Sequence, residues 1–410
     1  VSTDCLFCES QRQELVLSLG NQPLANSYLS AEQLAAPEPT YPLDLYVCAD
    51  CMLAHINVAA SGEDIFSDYA YFSSFSTTWL EHARRYTGMI AERLELGPSS
   101  FVVEIASNDG YLLQYFKERG IPCLGVEPAA NVAEAAREKG IETFAGFFGA
   151  ETAETLARAH APADLVIGNN VLAHTPDPND LIEGIRRMLR PGGAATLEFP
   201  HLYRLIEENQ FDTIYHEHFS YFSFSVVQRM FAAHGLTLFD VEELPTHGGS
   251  LRIYARHEDD VSQPITPAVG ALLKREGAAG MTDMNYYRDF ARKVEGVRTG
   301  LLAFLEEARA AGKRVAGYGA PAKGNTLLNY CKAGPDLIAY TLDRSPHKQG
   351  MYLPGSHIPI RAPEFAREDK PDYLLILPWN LKDEIMEQMA DIREWGGQFV
   401  IPIPSLEVLP

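Results

Sequence analysis

Phe101-Val-Val-Glu-Ile-Ala-Ser-Asn-Asp-Gly110, followed by Cys123-Leu-Gly-Val-Glu-Pro128, is the stretch that decides the fold. Each piece reads as a buried strand ending in a polar turn, and Tyr111-Leu-Leu-Gln-Tyr-Phe116 continues the first into a helix. In an open α/β sheet, ligands bind outside the carboxyl ends of the strands. Glu104, Ala106 and Asn108-Asp109-Gly110 end the first strand, and Glu127 ends the second. A carboxylate at that second strand end can accept hydrogen bonds from both ribose hydroxyls of an adenine nucleoside, and Gly110 lets backbone come close to it. The pattern fits an S-adenosylmethionine site and lacks the Gly-x-Gly-x-x-Gly spacing of a dinucleotide fingerprint. The competing reading is an ordinary βαβ unit with polar strand ends.

Outward from this pair the alternation continues. Asn131–Lys139, Glu151–Arg158 and Asp180–Leu189 have helical periodicity, whereas Glu142–Phe147, Ala163–Asn170 and Ala194–Pro200 read as strands. Such alternation predicts an α/β fold, a parallel sheet with helices on both faces. Asn169, Asn170 and His174 then end the fourth strand and face the same crevice as Glu104 and Glu127. Gly249–Ala255 is expected to close this sheet. Ahead of it, the aromatic segment 64–76 leads into a helix over Thr78–Leu94. It is either a packed linker or a lid over the cofactor, with Tyr69 as the lid residue.

A chain of 410 residues exceeds the size at which one core usually divides. Met284–Ala311 reads as one long helix, and a second α/β unit follows it. Lys313–Gly319 is a strand entering a glycine-rich turn, Leu327–Cys331 a helix, and Ile338–Asp343 and Tyr373–Pro378 further strands. The expected layout is an N-terminal module over 1–74, a central domain over 75–258 and a C-terminal Rossmann-like domain over 259–410. The formal charge of −21 argues against general nucleic-acid or anionic-membrane binding, because phosphate would be repelled. No run approaches the 18 apolar residues of a membrane span, and no secretory signal opens the chain, so the expected compartment is the cytoplasm. The oligomeric state is left open, with a monomer compatible.

Cys5-Leu-Phe-Cys8 and Cys48-Ala-Asp-Cys51 form two Cys-x-x-Cys knuckles. Each supplies two thiolates from one tight turn, and the pair completes a tetrahedral zinc shell. Residues 9–47 between them exceed the usual spacing and must carry structure of their own. Two disulfides or a redox pair are the alternatives; a reducing cytosol disfavours the first, and no βαβ context places the second. Four sulfur ligands leave no open position, so the role expected of the metal is structural. His55 is a substitute ligand or a core histidine, and Cys123 and Cys331 read as buried thiols.

The densest chemistry lies in Phe211-Asp-Thr-Ile-Tyr-His-Glu-His-Phe-Ser-Tyr221. If extended, this segment puts Tyr215 and Glu217 on one face and His216 and His218 on the other. In a turn or helix, Tyr215 and His218 meet. Histidine suits proton abstraction near neutral pH, a glutamate can orient it, and a tyrosine can donate to a developing oxyanion. The alternative is a polar loop whose histidines satisfy backbone groups.

In order along the chain stand the Cys-x-x-Cys pairs, Glu104-Ile-Ala-Ser-Asn-Asp-Gly110, Tyr215-His-Glu-His-Phe-Ser-Tyr-Phe222 and Gly317-Tyr-Gly-Ala-Pro-Ala-Lys-Gly-Asn325. Together they resemble the three-domain C-methyltransferases that build branched deoxysugars for antibiotics, the tetronitrose-type sugar C-3′-methyltransferases. The resemblance spans essentially the whole chain. It implies a zinc module, a central S-adenosylmethionine domain and a C-terminal Rossmann-like domain, with a thymidine-diphospho-4-keto sugar between the last two. It further implies His218 as general base, Glu217 as its orienting partner, and Tyr215 and His174 as holders of the keto oxygen or its neighbour. The turn of Gly317, Tyr318, Gly319, Lys323 and Asn325 would cradle the diphosphate, and His247, Gly248 and Ser250 would either line the sugar site or form only a turn. Histidine alone is a weak base for such a carbon. An acidity mismatch of about ten units would cost roughly 14 kcal/mol, so oxyanion donors and alignment must supply much of the catalysis.

Other functions stay open from the residues. A NAD-dependent sugar oxidoreductase or epimerase is compatible with the glycine turn, although its spacing is stretched; Asp343 could serve a ribose, and the competing reading of its strand is purely structural. An inactive zinc-and-nucleotide scaffold conflicts with the Tyr215–His218 cluster. O- and N-methyltransferases share the cofactor fold but rarely need a second Rossmann-like domain.

Overall fold

The computed structural model describes residues 4–57, 73–75 and 77–410. Among these, three sheets organise the chain. The first is antiparallel: β1 (Gln13–Gln22), β2 (Tyr41–Cys48) and β3 (Ala54–Ile56), with Ser220–Tyr221 added beside β3 from far along the chain. Ala54 pairs with Tyr221, His55 with Ser220, and the Ile56 N–H donates to the Phe219 carbonyl at 2.9 Å. A strand of the N-terminal sheet thus belongs to the Tyr215–Tyr221 segment.

The central sheet carries β4 (Val102–Ile105), β5 (Cys123–Glu127), β6 (Thr143–Ala145), β7 (Ala163–Asn169) and β8 (Leu189–Pro200) in parallel. Val102, Leu165 and Ile167 pack on one face and Val103, Ile105 and Val166 on the other, the two-sided burial that near-continuous apolar strands require. The chain winds outward from β4 through β5 and β6, then returns to β7 on the other side of β4. That reversal opens a crevice between the carboxyl ends of β4 and β7, the place where such sheets bind ligands.

β9 is the Ser220–Tyr221 strand already described, and β10 (Leu236–Leu244) and β11 (Ser250–His257) follow it. The Ser250–His257 strand does not close the sheet as expected. It lies between β8 and β10, antiparallel to both, and β10 forms the edge. Leu236 and Leu238 are buried while Thr237 is only half-buried; this alternation of a sheet edge was not read as a strand.

The third sheet has the order β14-β13-β12-β15-β16-β17: β12 (Val315–Tyr318), β13 (Thr341–Leu342), β14 (Ile360–Arg361), β15 (Tyr373–Ile376), β16 (Gln398–Ile401) and β17 (Glu407–Leu409). Only the last pairing is antiparallel. Its winding also reverses beside β12, where Gly319 packs close against Pro378. The helix after β12 starts at Ala322 and not at Leu327, which puts Lys323, Gly324 and Asn325 in its first turn. Asp283 caps the long helix Met284–Ala310, its side chain accepting from the Asn285 N–H. Tyr287, Phe290, Val294, Val297 and Leu301 from that helix join one core with strands of the first and third sheets. Among the described residues no helix is long and apolar enough to cross a membrane.

Candidate active site

The four knuckle cysteines come together. Their sulfurs all lie within 4.8 Å of one another, Cys5 with Cys51 at 3.4 Å and Cys8 with Cys48 at 3.6 Å, and none is in a disulfide. A tetrahedral zinc with Zn–S bonds of about 2.3 Å sets its sulfurs about 3.8 Å apart, so the cluster fits that ion. His55 stands apart from the cluster, its Nε2 2.9 Å from Gln13 Oε1. Cys123 is half-buried and Cys331 buried.

At the crevice between β4 and β7, Glu127 accepts the Asn108 N–H at 3.0 Å on one carboxylate oxygen and the Ala129 N–H at 2.8 Å on the other. Each oxygen keeps capacity for a further donor. Burial pushes the Glu127 carboxyl up, against the pull of those two N–H groups. Glu104 is buried with Oε2 unpartnered, and burial, then the charges of Glu127 and Asp109, raise it well above the carboxylate range. The turn between them is held in left-handed backbone: Ala106 at φ 53°, Asn108 at φ 50° and Gly110 at φ 75°. A Cβ at Gly110 would come 2.9 Å from the Ile141 side chain, so no larger residue fits. Across the crevice, Asn169 leaves its buried Oδ1 unpartnered, and Asn170 is also left-handed at φ 56°. Strained backbone and orphaned polar atoms gathered at the facing ends of β4 and β7 fit a bound polar ligand such as S-adenosylmethionine. Tyr69, the expected lid, lies outside the described residues.

The sequence reading missed a wall of this crevice. Glu198, near the end of β8, accepts from Arg252 Nε at 2.8 Å and meets His82 Nε2 at 2.9 Å. Burial favours its neutral form, but the His82 bond and the Arg252 charge outweigh that and hold it below the usual range. Trp79 stacks on His82 with ring centroids 4.9 Å apart, and His247 meets the same indole edge-on at 5.5 Å. A carboxylate near the end of a buried strand, as in Glu104 and Glu127, was the signal that could have found Glu198.

Tyr215–His218 is a turn, closed by the His218 N–H on the Tyr215 carbonyl at 2.9 Å. It brings the Tyr215 hydroxyl to 3.1 Å from His218 Nε2. His218 Nδ1 is 3.1 Å from the Thr213 carbonyl; a carbonyl only accepts, so Nδ1 carries the proton and Nε2 presents its lone pair. His174 is fixed the same way, its Nδ1–H donating to the Glu217 carbonyl at 2.8 Å, and its ring meets that of His218 edge-on at 4.6 Å. Burial first, then the neighbouring His174, holds His218 well below the usual imidazole range, and burial takes His174 down to about 4. Both rings are therefore neutral at pH 7. The bond that orients His218 comes from the Thr213 backbone, in place of the expected Glu217 carboxyl, which accepts instead from Asn26 Nδ2 at 2.6 Å. His216 turns away to the Pro42 carbonyl at 3.2 Å.

The third sheet reaches the same place. Lys323 Nζ donates to Asn380 Oδ1 at 2.7 Å and sits 4.4 Å from the Trp379 ring centroid, while the Trp379 indole N–H donates to Asp212 at 2.8 Å. Asp212 directly precedes Thr213, and a Cβ at Gly248 would come 2.6 Å from Trp379. Burial first, then the Lys323 charge, takes His247 down to about 4. Burial pushes Asp212 up to about 7 despite Lys323 and Trp379. His247 at φ 54° and Gly248 at φ 85° make the sharp turn that sets the imidazole 3.5 Å from Asn170 Nδ2.

Three other expected residues bond or pack within the fold. The Ser250 hydroxyl donates to the Thr246 carbonyl, the Tyr318 hydroxyl to Gln388, and Gly317 sits inside β12 where a Cβ would strike Thr341. Gly319, at φ 88°, lets the chain pass close to Pro378. Asn325 donates to the Ala25 carbonyl at 2.7 Å and keeps a buried Oδ1 unpartnered.

Three family models match in succession: a zinc binding domain over residues 5–66, a methyltransferase domain over 79–241 and a C-methyltransferase C-terminal domain over 245–404. The C-methyltransferase NovU of Streptomyces niveus is 38% identical over 406 residues, 99% of this chain and 96% of NovU. A ubiquinone biosynthesis O-methyltransferase of Pectobacterium carotovorum is 28% identical over 108 residues, 26% of this chain and 45% of its own length. Among solved structures, the PH0226 protein of Pyrococcus horikoshii is 16% identical with a TM-score of 0.38, covering 48% of this chain and 97% of its own.

Proposed function

The chain belongs to the three-domain C-methyltransferases that use S-adenosylmethionine, and from that premise we propose that it methylates the carbon beside the ketone of a thymidine-diphospho-4-keto-deoxysugar, in the making of a branched deoxysugar. The domain limits proposed are 1–74, 75–258 and 259–410, with the reacting sugar between the last two. The observation that carries the reading is the neutral His218, locked as the Nδ1–H tautomer with Nε2 turned to the Tyr215 hydroxyl. That is the state a general base needs before it meets substrate.

Glu104, Ala106, Asn108, Gly110, Glu127, Asn169 and Asn170 would hold S-adenosylmethionine, which supplies an electrophilic methyl group when bound. His218 Nε2 takes the proton from the carbon next to the ketone, and the electron pair of that C–H bond passes into the enolate. Tyr215 turns its hydroxyl from His218 to the keto oxygen, with His174 beside it, and Lys323 faces the negative charge that develops. The proton on His218 then passes to water. His247 and Gly248 border the sugar, and Gly319 and Asn325 border the nucleotide.

A NAD-dependent reading has less support. The matched family models over 79–241 and 245–404 are methyltransferase domains, and the C-methyltransferase NovU aligns over 99% of the chain.

The test uses S-adenosylmethionine with a ¹³C-labelled methyl group and thymidine-diphospho-4-keto-6-deoxyglucose as the probe. The expected product shows the labelled methyl coupled to a ring carbon adjacent to the ketone. A labelled methyl bound only to oxygen would overturn the proposal.

A further inference from the structure

Once Thr213 is seen to orient His218, the Glu217 carboxyl needs another role, and its partner lies in the zinc module. Asn26, on the loop after β1, reaches Glu217 Oε1 across 191 residues of sequence, at 2.6 Å. Asn26 is exposed, whereas Glu217 is buried. Glu217 in turn holds His174 through its backbone, because its carbonyl takes the His174 Nδ1–H, and the His174 ring meets that of His218 edge-on at 4.6 Å. A second link runs alongside. Cys48 and Cys51 flank the turn into β3, and β3 pairs with Ser220–Tyr221, two residues beyond His218. A third runs from the Asn325 side chain to the Ala25 carbonyl, next to Asn26.

We propose that the zinc module is part of the catalytic apparatus, with Asn26 a positioning residue that acts through Glu217 to hold His174 and the Tyr215–His218 turn in register. The proposal rests on His218 as the base, yet the hydrogen-bond chain exists before any sugar binds. Without the Asn26 amide, the buried Glu217 carboxyl loses its donor and its turn is free to shift, which moves the His174 bond and the Tyr215–His218 contact together. Positioning of this kind lowers turnover more than it lowers cofactor affinity.

Two measurements on the full chain test this. The first is ¹⁵N NMR of the histidine rings in the zinc-loaded protein without sugar, comparing the native protein with Asn26→Ala and the near-isosteric Asn26→Asp, which has no amide donor. The His174 Nδ1–H, protected in the native protein, is expected to exchange with water at least tenfold faster in both variants, with one zinc per chain retained. Ser18→Ala, on the same module, is expected to change nothing. The second is methyl transfer to the keto-sugar probe: kcat falls at least tenfold in both Asn26 variants, with the Kd for S-adenosylmethionine within threefold. A double-mutant cycle with Glu217→Gln is expected to be non-additive. Unchanged His174 exchange and unchanged kcat, or additive effects in the cycle, would overturn the proposal. Faster His174 exchange in the Asn26 variants, together with a native protein that turns over no keto sugar, would leave the positioning role standing and remove the proposed substrate instead.

Discussion

Replacing Glu127 by glutamine isolates the part of the site that the cofactor's ribose would use. In the native protein both carboxylate oxygens already accept a backbone N–H, from Asn108 at 3.0 Å and Ala129 at 2.8 Å, and each can take one ribose hydroxyl more. Hydrogen bonds to a charged acceptor contribute about 1.5–3 kcal/mol each, and neutral ones about 0.5–1.5 kcal/mol. Glutamine keeps one neutral acceptor and turns its amide toward a backbone N–H that it cannot satisfy. The net loss for the ribose is about 2–4 kcal/mol, which weakens binding roughly 30- to 1,000-fold. Calorimetric titration of S-adenosylmethionine reads this directly, and thymidine diphosphate titrated into the same variant serves as the control. The expected result is a cofactor Kd raised into that range with the thymidine diphosphate Kd unchanged. A cofactor Kd within threefold of the native value would refute the assignment of Glu127 to the ribose.

Three further outcomes follow from the same geometry. Burial and then His174, with a further contribution from Lys323, hold His218 well below the ordinary imidazole range, so its protonation limits the rate only in acid. Lys323→Met removes one cation that opposes protonation, so the acid limb of the kcat profile is expected to move up in pH while burial keeps it below the usual histidine value; an unmoved limb contradicts the placement of Lys323. Asp212 has a folded value raised to about 7 from 3.8, so the folded state binds the extra proton and stability falls as pH rises between those values. Asp212→Asn, which still accepts from Trp379, is therefore expected to gain up to about 4 kcal/mol on the native protein at pH 8 and little at pH 4, read from denaturant midpoints; equal differences at both pH values would refute it. Removal of zinc by a chelator is expected to lower the thermal midpoint and abolish methyl transfer, with both restored by zinc alone; full activity in metal-free protein would contradict a structural zinc.

The central sheet was legible because Val102–Ile105 and Cys123–Glu127 are buried on both faces, which leaves a short apolar run with a carboxylate at or near its end. The edge strand Leu236–Leu244 was not, since its place depends on antiparallel pairing with β11 that no local pattern states. The four cysteines announce a zinc shell by type and spacing alone. The Tyr215–His218 segment was legible as a cluster of polar groups but not in its partners, because extended and turn backbones both suit its residues. Asn26 was invisible for a simple reason: a lone amide far upstream carries no pattern, and only the folded chain sets it on Glu217. The resemblance implied a diphosphate contact for Lys323 without its neighbours; with the helix starting at Ala322, its ammonium lies over the Trp379 ring.

The central claim is that His218 makes an enolate before the new carbon–carbon bond forms. The most direct measurement is deuterium wash-in: thymidine-diphospho-4-keto-6-deoxyglucose is incubated in D₂O with the enzyme and S-adenosylhomocysteine, so that no methyl group can move. Exchange at the carbon beside the ketone is expected with the native protein and at least a hundredfold slower with His218→Asn, which keeps the Thr213 contact but has no base. Exchange that persists unchanged in His218→Asn would contradict the account.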